Sequence, residues 1–322
     1  MFTPPEDLPA TTLAAEIGRG WGVEAGSLVY RPVGFGSHHW EVRGDGDGRW
    51  FATVDDLEQK RRSRDEPLDE PFGRLASALA AARALHDQGH HFAAAPLPAR
   101  DGRPLIRLTP RYGLALYPYI DGESFAWGEF PTPEHRRAVL GLLVSLHGAP
   151  VQARADDFAL LHRDQLEASL LSPDAEDVGP YARPAARLMT ANAARVTGML
   201  ARYDELARRA RTRPAVLTHG EPHPGNTMRT ADGFVLIDWE TALLAPPERD
   251  LWALDPGDGS ILTAYATATG VTPDPAVMEL YQIRWTLTDL AICVAGFRAP
   301  HTGTRDDAES WRILLGYLDQ PW

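Results

Sequence analysis

The chain has 322 residues, of which 44% are hydrophobic and 24% charged, a composition typical of globular proteins. Its formal net charge of −12 argues against a nucleic-acid partner, which basic side chains would have to hold by its phosphates. The acidic balance suits a cationic small molecule through long-range attraction, although acidity is also a common solubility device. The single cysteine, Cys293, excludes an internal disulfide.

The sequence contains no targeting or membrane-spanning pattern. Residues 1–7 lack the basic and apolar regions of a signal peptide, and no run of about eighteen apolar residues occurs anywhere. We therefore expect a cytoplasmic protein without a membrane partner, whose oligomeric state the sequence leaves open.

The first third of the chain is predicted to consist mainly of strands. An opening helix is predicted from an apolar stripe at Leu8, Leu13, Ile17 and Trp21. Strand patterns separated by turn residues follow at 27–32, 39–43, 49–54, 105–109 and 114–119. An alanine-rich helix is predicted at 72–88, and the highly charged stretch 55–71 is interpreted as a mobile loop.

After Gly122 the pattern becomes helical. Thr132 is followed by a proline and a glutamate, which is typical of a helix start, and apolar periodicity continues to Gly148. Further helices are predicted at 164–171, at 181–211 with a possible break, and from 260 onward.

The residues best suited to chemistry lie between positions 219 and 240. The segment His219-Gly-Glu-Pro-His-Pro-Gly-Asn226 holds a carboxylate and an amide, and Asp238 ends a β-branched run. One carboxylate that orients a hydroxyl, with an amide and a second carboxylate that hold Mg²⁺ on a nucleotide, suits phosphoryl transfer. An Asp-Gly pair between them predicts a hairpin turn, which would bring Asn226 and Asp238 close together.

These segments resemble the catalytic and metal-binding motifs of the aminoglycoside phosphotransferase family, and most closely those of its spectinomycin phosphotransferases. The resemblance implies an α+β, protein-kinase-like two-lobed fold. A β-rich nucleotide-binding lobe would span 1–118, and a larger, mostly helical catalytic and substrate-binding lobe would span 119–322. It also implies Glu221 as catalytic base, where the family usually has aspartate, and Asn226 and Asp238 as Mg²⁺ ligands. The phosphate donor would be ATP or GTP.

Other residues near the motif are expected to support it. We interpret His219 and His223 as holding the loop by hydrogen bonds. Their i, i+4 spacing would suit Zn²⁺ only on a helix, which Pro222 and Pro224 disfavour. A downstream Glu-Arg-Asp-Leu-Trp segment resembles the acidic site that braces the loop in the family, which makes Asp250 structural support.

The resemblance also implies where a nucleotide binds. A glycine-rich segment between the first two strands would approach the phosphates, because glycine lets the backbone come close to an anion. Its candidates are Gly34, Gly36, Ser37 and His38. Adenine would meet the backbone after the last strand, where Pro118 cannot donate and Tyr119 or Ile120 would. The alternative for the glycine-rich segment is an ordinary tight turn. The alternative for the segment after the last strand is a simple connector between the lobes.

The third strand departs from the family pattern. The family usually carries there a lysine that contacts the α- and β-phosphates and pairs with a helix glutamate, and Thr53 stands at that position. Thr53 can donate a hydrogen bond but cannot neutralise phosphate charge. Lys60, the only lysine, is too far along to share the strand register. Either an arginine, such as Arg43 or one of those at 61–64, substitutes for it, or nucleotide binding is weak.

A helix near the end of the chain offers an acceptor site. Trp285 and Asp289 lie at i, i+4 and share one face. An indole and a carboxylate would suit a sugar or aminocyclitol that bears ammonium groups. The alternative is that Trp285 is core and Asp289 pairs with an arginine. Trp127 and Glu129 form a second candidate rim.

Three functions remain open. The first is a Mg²⁺-dependent phosphotransferase acting on a hydroxyl of a small molecule, with an aminoglycoside or aminocyclitol antibiotic as the favoured acceptor. The second keeps the chemistry with a primary metabolite as acceptor, such as an amino sugar, a thioribose or an amino alcohol. The third is a kinase-like protein that binds a ligand without catalysis, which Thr53 and Glu221 would favour.

Overall fold

The computed structural model describes residues 1–174 and 176–318. They form a small lobe built on an antiparallel sheet and a larger lobe made mainly of helices. This is the α+β two-lobed arrangement that the sequence predicted. None of the helices within the described ranges combines the length and apolarity needed to cross a membrane.

The small lobe is a five-stranded antiparallel sheet with the strand order β1-β2-β3-β5-β4. Its elements in chain order are α1 (Ala10–Trp21), β1 (Ser27–Arg31), β2 (Ser37–Arg43), β3 (Arg49–Asp56), α2 (Asp69–Asp87), β4 (Ile106–Arg107) and β5 (Tyr112–Pro118). Every predicted strand of this lobe is present, with its ends shifted by a few residues. The two predicted helices are present as well.

The two faces of this sheet have different surroundings because side chains alternate along a strand. Helix α1 covers one face, where Ile17 packs in a buried cluster with Val42 and Val54. The opposite face carries Ser37 and Asp55, which reach toward the large lobe. This second face therefore forms the roof of the cleft between the lobes.

The large lobe consists of helices around short strands. Its helices are α3 (Pro133–His147), α4 (Arg163–Ser169), α5 (Ala182–Ala191), α6 (Ala193–Ala210), α7 (Glu248–Leu251), α8 (Ser260–Thr269), α9 (Pro275–Phe297) and α10 (Arg305–Leu318). Its strands are β6 (Glu123–Ser124), β7 (Val216–Thr218), β8 (Thr227–Thr230), β9 (Gly233–Leu236) and β10 (Leu243–Ala245). Helix α3 starts as predicted, because the Thr132 hydroxyl accepts the backbone N–H of His135 at 3.1 Å. The predicted break in 181–211 falls at Asn192.

One hydrophobic cluster joins the two lobes. Leu75 and Leu79 of α2 belong to the same buried cluster as Val139 and Leu143 of α3. Trp239 is fully buried in this cluster, and its indole N–H donates to the Leu236 carbonyl at 2.8 Å. Trp239 lies between Asp238 and Glu240 in sequence. Its burial therefore fixes the backbone that carries both acidic residues.

The interpretation of stretch 55–71 as a mobile loop was wrong. Its first residues complete β3 and its last residues begin α2. Between them, Arg62 pairs with Asp157 at 2.6 Å and Glu66 pairs with Arg74 at 2.6 Å. Several of the charges that suggested a solvated loop therefore have partners, some of which are distant in sequence.

Candidate active site

The loop that follows β7 is held from below by Asp250. This fully buried carboxylate accepts the backbone N–H groups of His219 at 2.9 Å and Gly220 at 2.5 Å. The ring of His147 lies 3.0 Å from the same carboxylate. Burial alone would raise the pKa of Asp250, but the hydrogen bond and charge of His147 hold it below its ordinary value. An ionised Asp250 therefore fixes the loop that carries Glu221.

Gly220 is required at its position. Its φ of 101° lies in the region that favours glycine, and a Cβ there would collide with the guanidinium of Arg249. That guanidinium donates to the Thr218 hydroxyl at 2.8 Å and to the Thr241 carbonyl at 2.7 Å. The loop is thus packed against a fixed cation as well as a fixed anion.

The two histidines of the motif have different environments. His219 Nε2 donates to the Ile237 carbonyl at 2.8 Å, and its Nδ1 accepts the N–H of Glu221 at 3.2 Å. Burial lowers the pKa of His219 to about 4, so the ring is neutral and suited to this pair of bonds. His223 differs from our expectation, because its Nδ1 has no hydrogen-bond partner among the described residues. Its ring is near those of Trp127 and Trp285, with centroid distances of 6.4 and 6.2 Å.

The hairpin of β8 and β9 brings Asn226 and Asp238 together. The N–H of Ile237, next to Asp238, donates to the Asn226 carbonyl at 2.9 Å. The side-chain amide of Asn226 donates to the Glu221 carbonyl at 3.0 Å, which leaves its oxygen as an acceptor. Asp238 has a φ of 65°, unusual for a residue other than glycine. Such strain is typical of functional positions.

Acidic groups surround Glu221. Burial and the charges of Glu240 and Asp289 raise the pKa of Glu221 to about 7. Asp238 is exposed at the surface of the cleft, but the protein atoms around it and the charges of Glu240 and Glu221 raise the pKa of its carboxyl above the ordinary value. The side chain of Asp238 makes no hydrogen bond within the part of the chain that the structure describes. These carboxylates repel one another, which is an environment that a divalent cation would relieve.

The available donors fit Mg²⁺ on a nucleotide. Asn226 and Asp238 would give an amide and a carboxylate oxygen, the hard ligands that this ion prefers alongside phosphate oxygens and water. No group of three or more His, Cys, Asp or Glu side chains in residues 1–174 and 176–318 is arranged to hold a metal ion.

Helix α9 brings an acidic and aromatic surface beside Glu221. The Trp285 indole N–H donates to the Tyr317 hydroxyl at 2.8 Å, and that hydroxyl donates to Asp289 at 2.8 Å. Burial raises the pKa of Asp289 to about 6, and the bond from Tyr317 opposes this effect. The alternative in which Asp289 pairs with an arginine was wrong. We call Trp285, Asp289, Tyr317, His223 and Trp127 the acceptor wall.

The predicted nucleotide residues lie mainly on the cleft face of the small lobe. Gly34 and Gly36 have positive φ values of 69° and 102°, so this turn uses the conformational freedom of glycine. The Ser37 hydroxyl donates to Asp55 at 2.7 Å on the cleft face. His38 points to the opposite face, where its Nδ1 lies 3.2 Å from the Tyr30 hydroxyl.

The lobe connection begins where β5 ends at Pro118. The Tyr119 N–H donates to the Arg49 carbonyl at 3.3 Å, and the Arg49 guanidinium lies 3.7 Å from the Tyr119 ring centroid. Because this hydrogen bond uses the backbone N–H of Tyr119, the backbone N–H of Ile120 is the better candidate to donate to adenine. Thr53 pairs in register with His39 on β2 and lies one residue from the buried Val54.

Sequence reasoning missed three residues of this region. Glu240 was present in the motif but had no assigned role, and Tyr317 lies 28 residues beyond the carboxylate that it contacts. Lys60 had been excluded as the phosphate-binding lysine because it lies too far along the chain to share the register of the third strand. Its Nζ lies 2.5 Å from Glu240 and 3.1 Å from Asp55. The sequence signal for Glu240 was its position two residues after Asp238, and the signal for Lys60 was that it is the only lysine. Tyr317 had no signal.

The fold is of the protein-kinase-like class. Residues 29–290 match the family described as the phosphotransferase enzyme family, and the chain belongs to that family. Protein StrN of Streptomyces griseus is 31% identical over 267 residues, which cover 77% of this chain and 78% of StrN.

Two solved structures share the fold. A spectinomycin phosphotransferase in complex with ADP and spectinomycin aligns with a TM-score of 0.71 at 15% identity, over 97% of this chain and 95% of that one. An ethanolamine kinase of Plasmodium vivax aligns with a TM-score of 0.58 at 10% identity, over 98% of this chain and 96% of that one. The predicted family resemblance and protein-kinase-like fold are confirmed.

Proposed function

We propose that the protein transfers the γ-phosphate of ATP or GTP to a hydroxyl of a cationic small molecule, with Mg²⁺ as cofactor. An aminoglycoside or aminocyclitol antibiotic is the favoured acceptor, and resistance the favoured role. One observation carries this proposal: the Asn226 side-chain amide donates to the Glu221 carbonyl at 3.0 Å, and the Ile237 N–H, next to Asp238, donates to the Asn226 carbonyl at 2.9 Å. The candidate base and both candidate metal ligands therefore lie at one point of the cleft. A hydroxyl delivered by the wall would therefore reach the base and the phosphate at one point.

Glu221 is the catalytic base in this proposal. Its carboxylate accepts a hydrogen bond from the acceptor hydroxyl and aligns the oxygen with the γ-phosphorus. A pKa of about 7 suits a group that must accept a proton near neutral pH. Asp250 and the neutral His219 hold the loop, so the base is positioned before the acceptor arrives.

Asn226 and Asp238 hold the metal ion in this proposal. Mg²⁺, when bound, would neutralise charge on the phosphates that are transferred and released. The glycine turn with Gly34, Gly36 and Ser37 covers the phosphates, and Ile120 meets the adenine or guanine base. Residues 1–118 then form the nucleotide-binding lobe, and residues 119–322 the catalytic and substrate-binding lobe.

The acceptor wall favours a cationic substrate. The indole rings of Trp127 and Trp285 offer faces that attract ammonium groups, and Asp289 offers a carboxylate. Trp127 is 68% exposed, as expected of a ring that a ligand would cover. The likeness to a spectinomycin phosphotransferase and the net charge of −12 agree with an aminocyclitol.

A kinase of a small ammonium alcohol is the second candidate. Asp289 is close enough to Glu221 for its charge to raise the pKa of that carboxyl, so an ammonium group held by Asp289 would place a short alcohol near the base. The shared fold with an ethanolamine kinase agrees with this alternative. Growth inhibition by antibiotics in cells with and without the protein distinguishes it from the first, since only an antibiotic kinase would protect.

Calorimetric titration with ATP and GTP, with and without Mg²⁺, tests the shared chemistry. We expect the wild type to bind at least one nucleotide in a Mg²⁺-dependent manner, and Asp238→Asn to lose that dependence. Asp47→Asn, at an exposed position in the turn before β3, is the matched control. A wild type that binds neither nucleotide would favour the non-catalytic ligand-binding protein.

A further inference from the structure

The only lysine of the chain lies in a turn that folds back under the sheet. After β3 ends, the Gln59 N–H donates to the Asp56 carbonyl and the Lys60 N–H donates to the Leu57 carbonyl, both at 3.2 Å. The turn returns the Lys60 side chain to the cleft, where its ammonium group contacts Asp55 at 3.1 Å and Glu240 at 2.5 Å. Lys60 therefore reaches the site without sharing the strand register.

Both lobes hold this turn in place. Arg74 on α2 donates to the Lys60 carbonyl at 2.8 Å. From the large lobe, the His162 ring contacts the Gln59 carbonyl at 3.0 Å, and the His162 N–H donates to the Arg61 carbonyl at 3.1 Å. The position of the ammonium group is thus fixed before any ligand binds.

Three of the four arginines that might have replaced a strand lysine have acidic partners elsewhere, and the fourth, Arg64, is exposed. Arg43 binds Glu41 at 2.7 Å on the rim of the sheet. Arg61 binds Glu58 at 3.1 Å, and Arg62 binds Asp157. These contacts direct the guanidinium groups away from Thr53, so Lys60 is the cation best placed to meet a nucleotide.

The helix glutamate that usually pairs with the strand lysine is also missing. The acidic residues of α2 are Asp69 and Glu70 in its first turn and Asp87 at its end. Asp69 is 94% exposed and pairs with Arg107, and Asp87 pairs with Arg83. Glu240 and Asp55 pair with the lysine instead. Compared with the family pattern, the lysine and its acidic partner therefore both lie at other positions of the chain.

We propose that Lys60 binds the α- and β-phosphates of the nucleotide from this turn, and that Glu240 and Asp55 position it as a helix glutamate would. This inference rests on the proposed function, because it assumes a nucleotide in the cleft. Burial opposes the charged form, but Glu240 and Asp55 more than offset it and hold the pKa of Lys60 above its ordinary value.

Calorimetric binding of ATP, ADP and adenosine to four proteins tests the assignment. The variants are Lys60→Ala, Lys60→Arg and the double variant Thr53→Lys with Lys60→Ala, compared with the wild type. Loss of one charged contact should weaken ATP and ADP binding to Lys60→Ala by about 10- to 100-fold, while adenosine binding is unchanged. Lys60→Arg should keep most of the affinity, and the double variant should regain part of it.

The ratio of ATP to adenosine affinity distinguishes phosphate contact from general damage to the fold. A variant that merely folds poorly would lose both ligands together, and the assignment would be overturned. Equal ATP affinity in Lys60→Ala and the wild type would also overturn it, with the proposed function intact. A wild type that binds no nucleotide would overturn the proposed function itself.

A second measurement uses the uniqueness of the lysine. Reductive methylation with an isotope-labelled reagent gives Lys60 the only side-chain dimethylammonium signal of the protein. We expect ATP to shift this signal, or to protect the unmodified amine from the reagent, and adenosine to do neither. No effect of ATP at a saturating concentration would contradict the assignment.

Discussion

Asp250 and His219 are joined by a hydrogen bond of 2.9 Å from the backbone N–H of the histidine to the buried carboxylate. The next N–H of the loop donates to the other oxygen of the same carboxylate. Thirty-one residues separate the two partners in sequence. A single anion thereby sets the backbone of the loop on which the candidate base stands.

Removal of this anion should destabilise the protein. Asp250→Ala leaves the buried N–H groups of His219 and Gly220 without an acceptor, which should cost about 3 kcal/mol in the free energy of unfolding. Urea denaturation of the variant and the wild type measures this difference. Asp47→Ala, which removes an exposed carboxylate, should change the free energy by less than ~0.5 kcal/mol. A similar small change in Asp250→Ala would refute the bracing role.

The rate of transfer should depend on the ionisation of Glu221. Its pKa of about 7 means that the base is protonated in much of the protein below neutrality. Mg²⁺ on Asn226 and Asp238 would lower this pKa from its metal-free value, so we expect kcat/KM to rise with pH to a plateau that is reached at or below pH 7. Glu221→Gln should lower kcat by about 10²- to 10⁴-fold with nucleotide affinity retained. A flat pH profile, or full activity in the variant, would exclude Glu221 as the base.

Stability in the absence of metal should also report on Glu221. The pKa of its carboxyl is raised in the folded protein, so the folded state holds this proton more tightly than the unfolded state. The stabilisation is complete below about pH 4.5 and is lost as the pH rises through about 7. The free energy of unfolding should therefore fall between pH 5 and 8 more steeply in the wild type than in Glu221→Gln.

Comparing the two proteins separates Glu221, together with the part of the Asp238 shift that its charge causes, from the other groups. His219 and His223, whose pKa values are lowered to about 4, act in the opposite direction and favour folding as the pH rises from 4 to 6.5. Their contribution is the same in both proteins and cancels in the difference. Parallel curves for the wild type and Glu221→Gln would show that burial does not perturb Glu221.

The acceptor wall should control acceptor affinity and leave nucleotide affinity unchanged. Asp289→Asn removes the charge that faces an ammonium group, and we expect KM for a cationic acceptor to rise about 10- to 100-fold. The dissociation constant of ATP should not change. Asp232→Asn, on the exposed β8–β9 turn, is the matched control. An unchanged KM in Asp289→Asn would place the acceptor elsewhere.

The sequence revealed the candidate catalytic segment because its groups are close in the chain. Glu221, Asn226 and Asp238 lie within 18 residues, and one hairpin is enough to bring the last two together. Hydrophobic periodicity and turn residues likewise predicted the elements of both lobes. Local patterns of this kind depend on few long-range contacts, so they can be interpreted without the fold.

The missed features depend on contacts between distant segments. Lys60 contacts Glu240, which lies 180 residues further along the chain. The prediction assumed that β3 continues as a regular strand, so it could not anticipate the turn that returns the lysine to the cleft. The partner of Asp289 is a tyrosine on another helix, which no spacing indicated. The orientation of His38 could have been predicted, because neighbours in a strand face opposite sides and Ser37 had been assigned to the cleft.

The most direct test of the account is mass-spectrometric detection of a phosphorylated acceptor. The wild type and Glu221→Gln would be incubated with Mg²⁺, ATP or GTP, and a panel of aminocyclitols, aminoglycosides and amino alcohols. The account predicts that the wild type adds one phosphoryl group to at least one cationic acceptor and that Glu221→Gln does so far more slowly. A wild type that binds nucleotide but phosphorylates no acceptor, or a variant that is equally active, would contradict it.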